Sequence, residues 1–244
     1  MNGTALGASA TGRPVIEGVL FDAAGTLFDL ATPLPQVLGE AVAHFGGTCR
    51  PERLKRALDH VGSTTGWPDD QPDHTSRARA WTHFAEQIIG TADPGMAEVM
   101  RRRAAERAVT AVLAPGNYRV FDEVTGLLAD LVAARVPIGI VSNFDDLLVD
   151  ILRTTGLEQV FTTVVTSYRF GVCKPDPRIF HEAVGAIRTS PASTCYVGDS
   201  VYSDMGGARN AGLYGVLVDR EGLHGDYSGH RIGSLAEVRG LLPL

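Results

Sequence analysis

Four separated groups of residues in this 244-residue chain carry side chains suited to chemistry. They are Asp22-Ala-Ala-Gly-Thr-Leu27, the pair Ser142-Asn143, the pair Lys174-Pro175, and Gly198-Asp199-Ser200 followed by Asp204. Carboxylates are hard oxygen ligands, and Mg2+ takes a few of them while keeping several waters. A carboxylate nucleophile facing an anionic phosphoryl group is repelled unless a cation intervenes, and a lysine can neutralise both as a point charge. A serine hydroxyl and an asparagine amide can donate to a transferring group, and a glycine lets backbone approach closely. Taken singly, each group has an ordinary explanation. An Asp before a glycine turn is commonly a turn residue, Ser-Asn a loop, Lys-Pro a helix boundary and Asp204 a helix N-cap. Their weight comes from falling together at the ends of expected strands.

Those strands are short apolar runs. Val15–Phe21 stops at Asp22, and similar runs occur at Ile138–Ser142, Thr163–Thr166, Thr194–Gly198 and Gly215–Val218. Helical patterns lie between them, at Tyr118–Arg135, Asp145–Thr155, Pro177–Ile187 and Asp204–Ala211. Alternating strands and helices predict parallel βαβ units in an α/β, Rossmann-like sheet, with ligands at the carboxyl ends of the strands. The stretch from about Pro33 to Leu113 differs. It predicts four helices (Pro35–Phe45, Pro51–Val61, Ser76–Ile89 and Met96–Val112) and no strand, with a break at Gly66–Asp73. The expected organisation is a flexible tail over 1–13, an α/β core from 14–32 and 114–244, and a small all-helical domain over 33–113. Ala114–Asn117 is the expected hinge back into the core.

Composition narrows the function classes. A net charge of −6 argues against nucleic acid as the main partner, yet leaves room for a small phosphorylated substrate held by a local positive site. No apolar run reaches membrane-spanning length, and the first thirteen residues lack the charged start and apolar centre of a signal peptide, so a cytoplasmic location is expected. Cys49, Cys173 and Cys195 are too few and scattered for a disulfide framework or zinc motif. Lysine occurs only at Lys55 and Lys174.

In this order the four groups resemble the motifs of the haloacid dehalogenase superfamily: DxxGT[LV], a strand-terminal Ser or Thr, a Lys, and GDxxxD. The resemblance runs from about Val15 to Val218 and implies a Rossmann-like core with a helical cap inserted after the first motif. It implies Asp22 as nucleophile, and Mg2+ held by Asp22, Asp199 and the backbone carbonyl of Ala24. Asp204 would hold a metal-bound water or orient Lys174. Ser142, Asn143, Lys174, Gly25 and Thr26 would surround the phosphoryl group.

One position departs from the pattern. Phosphatases of this superfamily usually carry a second aspartate two residues after the nucleophile, as acid and base for the leaving group and water; here it is Ala24. A phosphatase could manage with a good leaving group or a substitute acid such as Asp29, although a surface turn residue is the simpler account of Asp29. D-x-A-G-T also resembles phosphonatases, which use a cap lysine as Schiff base, and Lys55 is the only cap lysine. It resembles the haloacid dehalogenases too, which work without metal and lack the GDxxxD carboxylates. A catalytically weak binding or regulatory protein is the remaining alternative, opposed by the cost of keeping buried charges. Within the cap, Trp67, His74, Arg77, Arg79, Trp81 and His83 are candidates for substrate contact, with Trp81 expected in the core, Arg77 and Arg79 on a solvated face, and His44 packed inward.

Overall fold

A computed structural model describes residues 15–68 and 74–241. The tail at 1–13, the end of the Gly66–Asp73 break and the His74 side chain lie outside the described residues. In chain order the elements are β1 (Gly18–Phe21), β2 (Phe28–Leu30), α1 (Leu34–His44), α2 (Pro51–Thr65), α3 (His74–Ala92), α4 (Glu98–Val112), β3 (Tyr118–Val120), α5 (Val124–Ala133), β4 (Ile138–Ser142), α6 (Leu147–Thr154), β5 (Thr163–Thr166), α7 (Ser167–Phe170), α8 (Pro177–Ala186), β6 (Thr194–Gly198), α9 (Gly206–Ala211), β7 (Tyr214–Val218) and β8 (His230–Ile232).

The chain forms two compact units. The first takes residues 15–29, 120–143 and 156–241, the second 30–119 and 144–155. In the first, six strands pair in the order β5-β4-β1-β6-β7-β8, every neighbouring pair parallel. The α/β, Rossmann-like class is therefore correct. Every residue of β1, β4 and β6 is buried, as a parallel sheet covered on both faces requires. On one face α8 and α9 bury Ile179, Phe180, Ala183 and Ala208 with Leu20, Val141, Tyr196 and Leu217.

This strand order places the chemistry. From β1 the sheet grows through β4 to β5 on one side and through β6 to β7 and β8 on the other. The order reverses at β1, so a crevice opens at the carboxyl ends of β1, β4 and β6. Asp22 follows β1, Ser142 ends β4 and Asp199 follows β6.

The second unit is built on α1–α4. Their apolar stripes converge on Leu38, Val42, Leu54, Phe84, Ile88 and Val109, with buried Trp81 stacked edge-on to Phe84 at 5.8 Å. Two expectations fail here. His44 is exposed rather than packed, because α1 buries Leu38, Ala41 and Val42 and turns the His44 position outward. Arg77 is buried rather than solvated: its guanidinium lies 3.9 Å over the Phe144 ring and 3.9 Å from Asp145 Oδ1. Those contacts draw residues 144–155, which the sequence pattern assigns to the core, into this unit. Arg79 and His83 are exposed, and Trp67 is about half exposed beside Trp81 and Phe84.

Some elements differ from the pattern. Tyr118 opens a strand, not a helix, and β2 and β3 form a two-stranded sheet where the chain leaves and re-enters the first unit. The helix expected from Asp204 starts earlier, with a π turn over Val201–Met205.

Candidate active site

The first site residue is held by the strand it ends. Asp22 donates its backbone N–H to Val197 O on β6 at 2.9 Å, so the carboxylate leaves the sheet between two neighbours. The chain then closes a tight loop: Leu27 N–H donates to Ala23 O (2.8 Å) and Gly25 N–H to Phe28 O (2.9 Å). Gly25 has φ +76°, and a Cβ there would lie 2.2 Å from Asp199 Oδ2. Both facts demand glycine, for the turn and for the approach of the two motifs. Gly198 answers the same need, since a Cβ on it would come within 2.5 Å of the Asp204 carboxylate.

Lys174 is the hub. Its Nζ donates to Asp22 Oδ1 (2.7 Å), to Asp204 Oδ1 (2.6 Å) and to the Tyr196 hydroxyl (3.1 Å). Asn143 fixes the lysine's backbone from both sides, accepting from Lys174 N–H at 2.7 Å and donating to Lys174 O at 3.1 Å. Asp204 is completely buried, and its Oδ2 accepts from Ser200 N–H at 2.9 Å. Ser142 and Thr26 are buried, and Thr26 Oγ1 has no hydrogen-bond partner among the described residues. Thr26 O accepts from Arg220 at 3.0 Å; Arg220 also pairs with Glu123 and stacks over Phe121, which ties the loop to the start of α5.

Oxygens of Asp22, Asp199 and Asp204 all lie within 4.8 Å of one another. Three carboxylates therefore share one ammonium. Burial pushes the Asp22 carboxyl up from 3.8 to about 6, against the pull of Lys174 and with a further push from Asp204. Burial, then repulsion from Asp22 and Asp204, raises Asp199 well above the carboxylate range. Burial alone would lower the Lys174 ammonium, but Asp204 and Asp22 outweigh it and hold it above its ordinary value. Such a site is short of positive charge, and its donors are hard oxygens. That is the chemistry of a divalent-cation site.

The residues the sequence singled out thus gather at one end of the sheet: Asp22, Gly25, Thr26, Ser142, Asn143, Lys174, Asp199 and Asp204. Tyr196 was missed. Its signal is a lone tyrosine in the buried strand Thr-Cys-Tyr-Val-Gly, where a phenol needs a polar partner. Asp29 is exposed on β2, and Lys55 is exposed on α2.

A family model described as haloacid dehalogenase-like hydrolase matches residues 16–212. The chain belongs to this hydrolase family. Among relatives of this haloacid dehalogenase-like hydrolase, haloacid dehalogenase-like hydrolase domain-containing protein 3 from cattle is 39% identical over 104 residues, which covers 43% of this chain and 41% of that protein. The human protein of that name is 28% identical over 84% of this chain and 83% of its own length. Phosphoserine phosphatase of Thermus thermophilus is 29% identical over 60% of this chain and 65% of its own. Among solved structures, the HAD hydrolase YfnB of Bacillus subtilis, described as bound to magnesium, superposes with TM-score 0.72 at 18% identity, covering 95% of this chain and all of its own. A HAD phosphatase from Thermococcus onnurineus gives 0.63 at 24%, and the L-2-haloacid dehalogenase of Xanthobacter autotrophicus 0.64 at 20%, each covering 93% of this chain and 98% of its own. These structures share the fold, and the fold is common to phosphatase and dehalogenase alike. Among the described residues no helix is long and apolar enough to cross a membrane.

Proposed function

We propose that the protein is a Mg2+-dependent phosphatase acting on a small phosphorylated metabolite through an aspartyl-phosphate at Asp22. The observation that carries this reading is the cluster of three carboxylates, two of which pair with the single lysine. The dehalogenases that the motifs resemble do without the second pair of carboxylates, and this chain keeps both, Asp204 completely buried and Asp199 half-buried, at a cost that a metal-free reaction would not repay. A phosphoserine phosphatase among its relatives agrees with that choice. Lys55 stands exposed on α2, so the phosphonatase reading gains no support.

Each residue then has a task. Asp22 attacks phosphorus, its Oδ–P bond forming as the ester bond breaks, and the leaving group departs as an oxyanion. Water attacks the phosphorus in turn and frees Asp22 and inorganic phosphate. Lys174 balances the charge of nucleophile and phosphoryl group, Ser142 and Asn143 donate to the phosphoryl oxygens, and Gly25 and Thr26 shape the loop beneath them. Asp204, with both oxygens engaged, orients Lys174. Asp22, Asp199 and the carbonyl of Ala24 would hold Mg2+, which supplies the positive charge that lets two anions meet. The core over 14–32 and 114–244 carries this chemistry, and the helical stretch 33–113 is the cap that selects the substrate, at work in the cytoplasm.

Hydrolysis of para-nitrophenyl phosphate with and without Mg2+ tests the reading, because that leaving group needs no proton. EDTA should silence the activity, and Asp199→Ala should raise the Mg2+ needed for half-maximal rate or remove turnover. A chelator-resistant activity on a haloacid would establish the dehalogenase reading instead, and no turnover of any ester would favour a binding protein.

Stability gives an independent check. The Asp22 value is raised in the folded state, so the folded protein favours the protonated acid. That contribution is complete below about pH 4 and is lost as pH rises through about 6. Thermal midpoints in EDTA are expected to fall across this window, and Mg2+ should raise them most at its upper end. A Mg2+ effect of equal size at about pH 5 and pH 8 would detach the cation from these carboxylates.

A further inference from the structure

An ammonium has three N–H donors, and Lys174 spends all of them: on Asp22, on Asp204 and on the Tyr196 hydroxyl. None is left for a substrate. To reach an incoming phosphoryl oxygen Lys174 must give one up, and the three differ. Two are charge-assisted and short, at 2.7 and 2.6 Å; the third, at 3.1 Å, goes to a neutral phenol and is the weakest. The phenol keeps partners without it. Its single hydrogen has Val141 O at 2.8 Å and Asp204 Oδ1 at 3.0 Å in reach. Tyr196 is itself fully buried on β6 and packed edge-on against Phe180 at 4.8 Å.

We propose that Tyr196 is a positioning residue that holds the third N–H of Lys174 in reserve and yields it to the anion when substrate binds. The hydroxyl keeps the ammonium fixed between Asp22 and Asp204 in the resting site, and its loss is the cost of anion binding there. This rests on the reading of the site as one for a phosphoryl group, and its test is chosen to separate the two.

Tyr196→Phe removes one oxygen and keeps the ring. Calorimetric titration of the full-length protein with inorganic phosphate at saturating Mg2+ should show the variant binding about two- to tenfold more tightly, because no hydrogen bond must be surrendered. KM for para-nitrophenyl phosphate should fall with it, and kcat should fall because the ammonium is no longer held in place. A purely structural tyrosine would lower the melting temperature and leave phosphate affinity unchanged. Should Tyr196→Phe fail to fold, site-specific 3-fluorotyrosine at 196 keeps the hydroxyl as a poorer acceptor and should tighten phosphate binding in the same direction. Unchanged or weaker phosphate binding in the folded variant overturns the role of Tyr196 while the phosphoryl site stands. If the wild-type protein with Mg2+ binds no phosphate, the phosphoryl reading fails and the proposal falls with it.

Discussion

Asp22→Asn is expected to lower turnover by about ten-thousandfold or more, the scale on which removal of a covalent nucleophile is felt. The amide is nearly isosteric, so the loop from Ala23 to Phe28 keeps its turn, but it cannot attack phosphorus and is a poor ligand for Mg2+. Folding should not suffer. Asp22 is one of three carboxylates around a single ammonium, and burial has raised its carboxyl to about 6, so at neutral pH its ionisation works against the fold. The metal-free variant should therefore melt at the same temperature as wild type or higher at about pH 8. Activity near the wild-type level, once deamidation has been excluded by mass, would remove Asp22 from its role.

Ala24→Asp is expected to act in the opposite direction. The position precedes Gly25 in a loop fixed by its own backbone hydrogen bonds, and Ala24 is only half-buried, so its Cβ is not packed on all sides. A carboxyl there can protonate the leaving oxygen. Such help is worth about a hundred- to ten-thousandfold in rate, and a misplacement of roughly an ångström can cost a hundredfold of it. The gain should grow with the basicity of the leaving group, large for alkyl phosphates and small for para-nitrophenyl phosphate. Plotted against leaving-group pKa, wild-type rates should fall steeply and those of the variant more gently. Parallel slopes would mean that another group already supplies the proton.

The chemistry of this chain is more legible in its sequence than its boundaries are. Asp22, Ser142 and Asp199 could be placed because each ends a buried apolar strand, and burial on both faces writes a strand as a continuous apolar run. β8 could not be foreseen: three residues, His230–Ile232, alternate too briefly to register. The four-residue helix α7 was missed for the same reason. Arg77 and His44 were misjudged because the helical period says which residues share a face but not which partner that face meets. Phe144 and Asp145 bury Arg77, and they lie far along the chain from it. Tyr196 shows a related limit. Its hydroxyl serves Lys174 and Asp204, a link of 22 residues to one and 8 to the other that no local pattern carries.

The most direct test of the proposed chemistry is the mass of the peptide carrying Asp22 after acid quenching during turnover of para-nitrophenyl phosphate with Mg2+. A covalent aspartyl mechanism predicts that this peptide gains one phosphoryl group, that hydroxylamine removes it, and that Asp22→Asn never acquires it. Turnover with no phosphoryl adduct on the protein, or with the adduct on a residue other than Asp22, would contradict it.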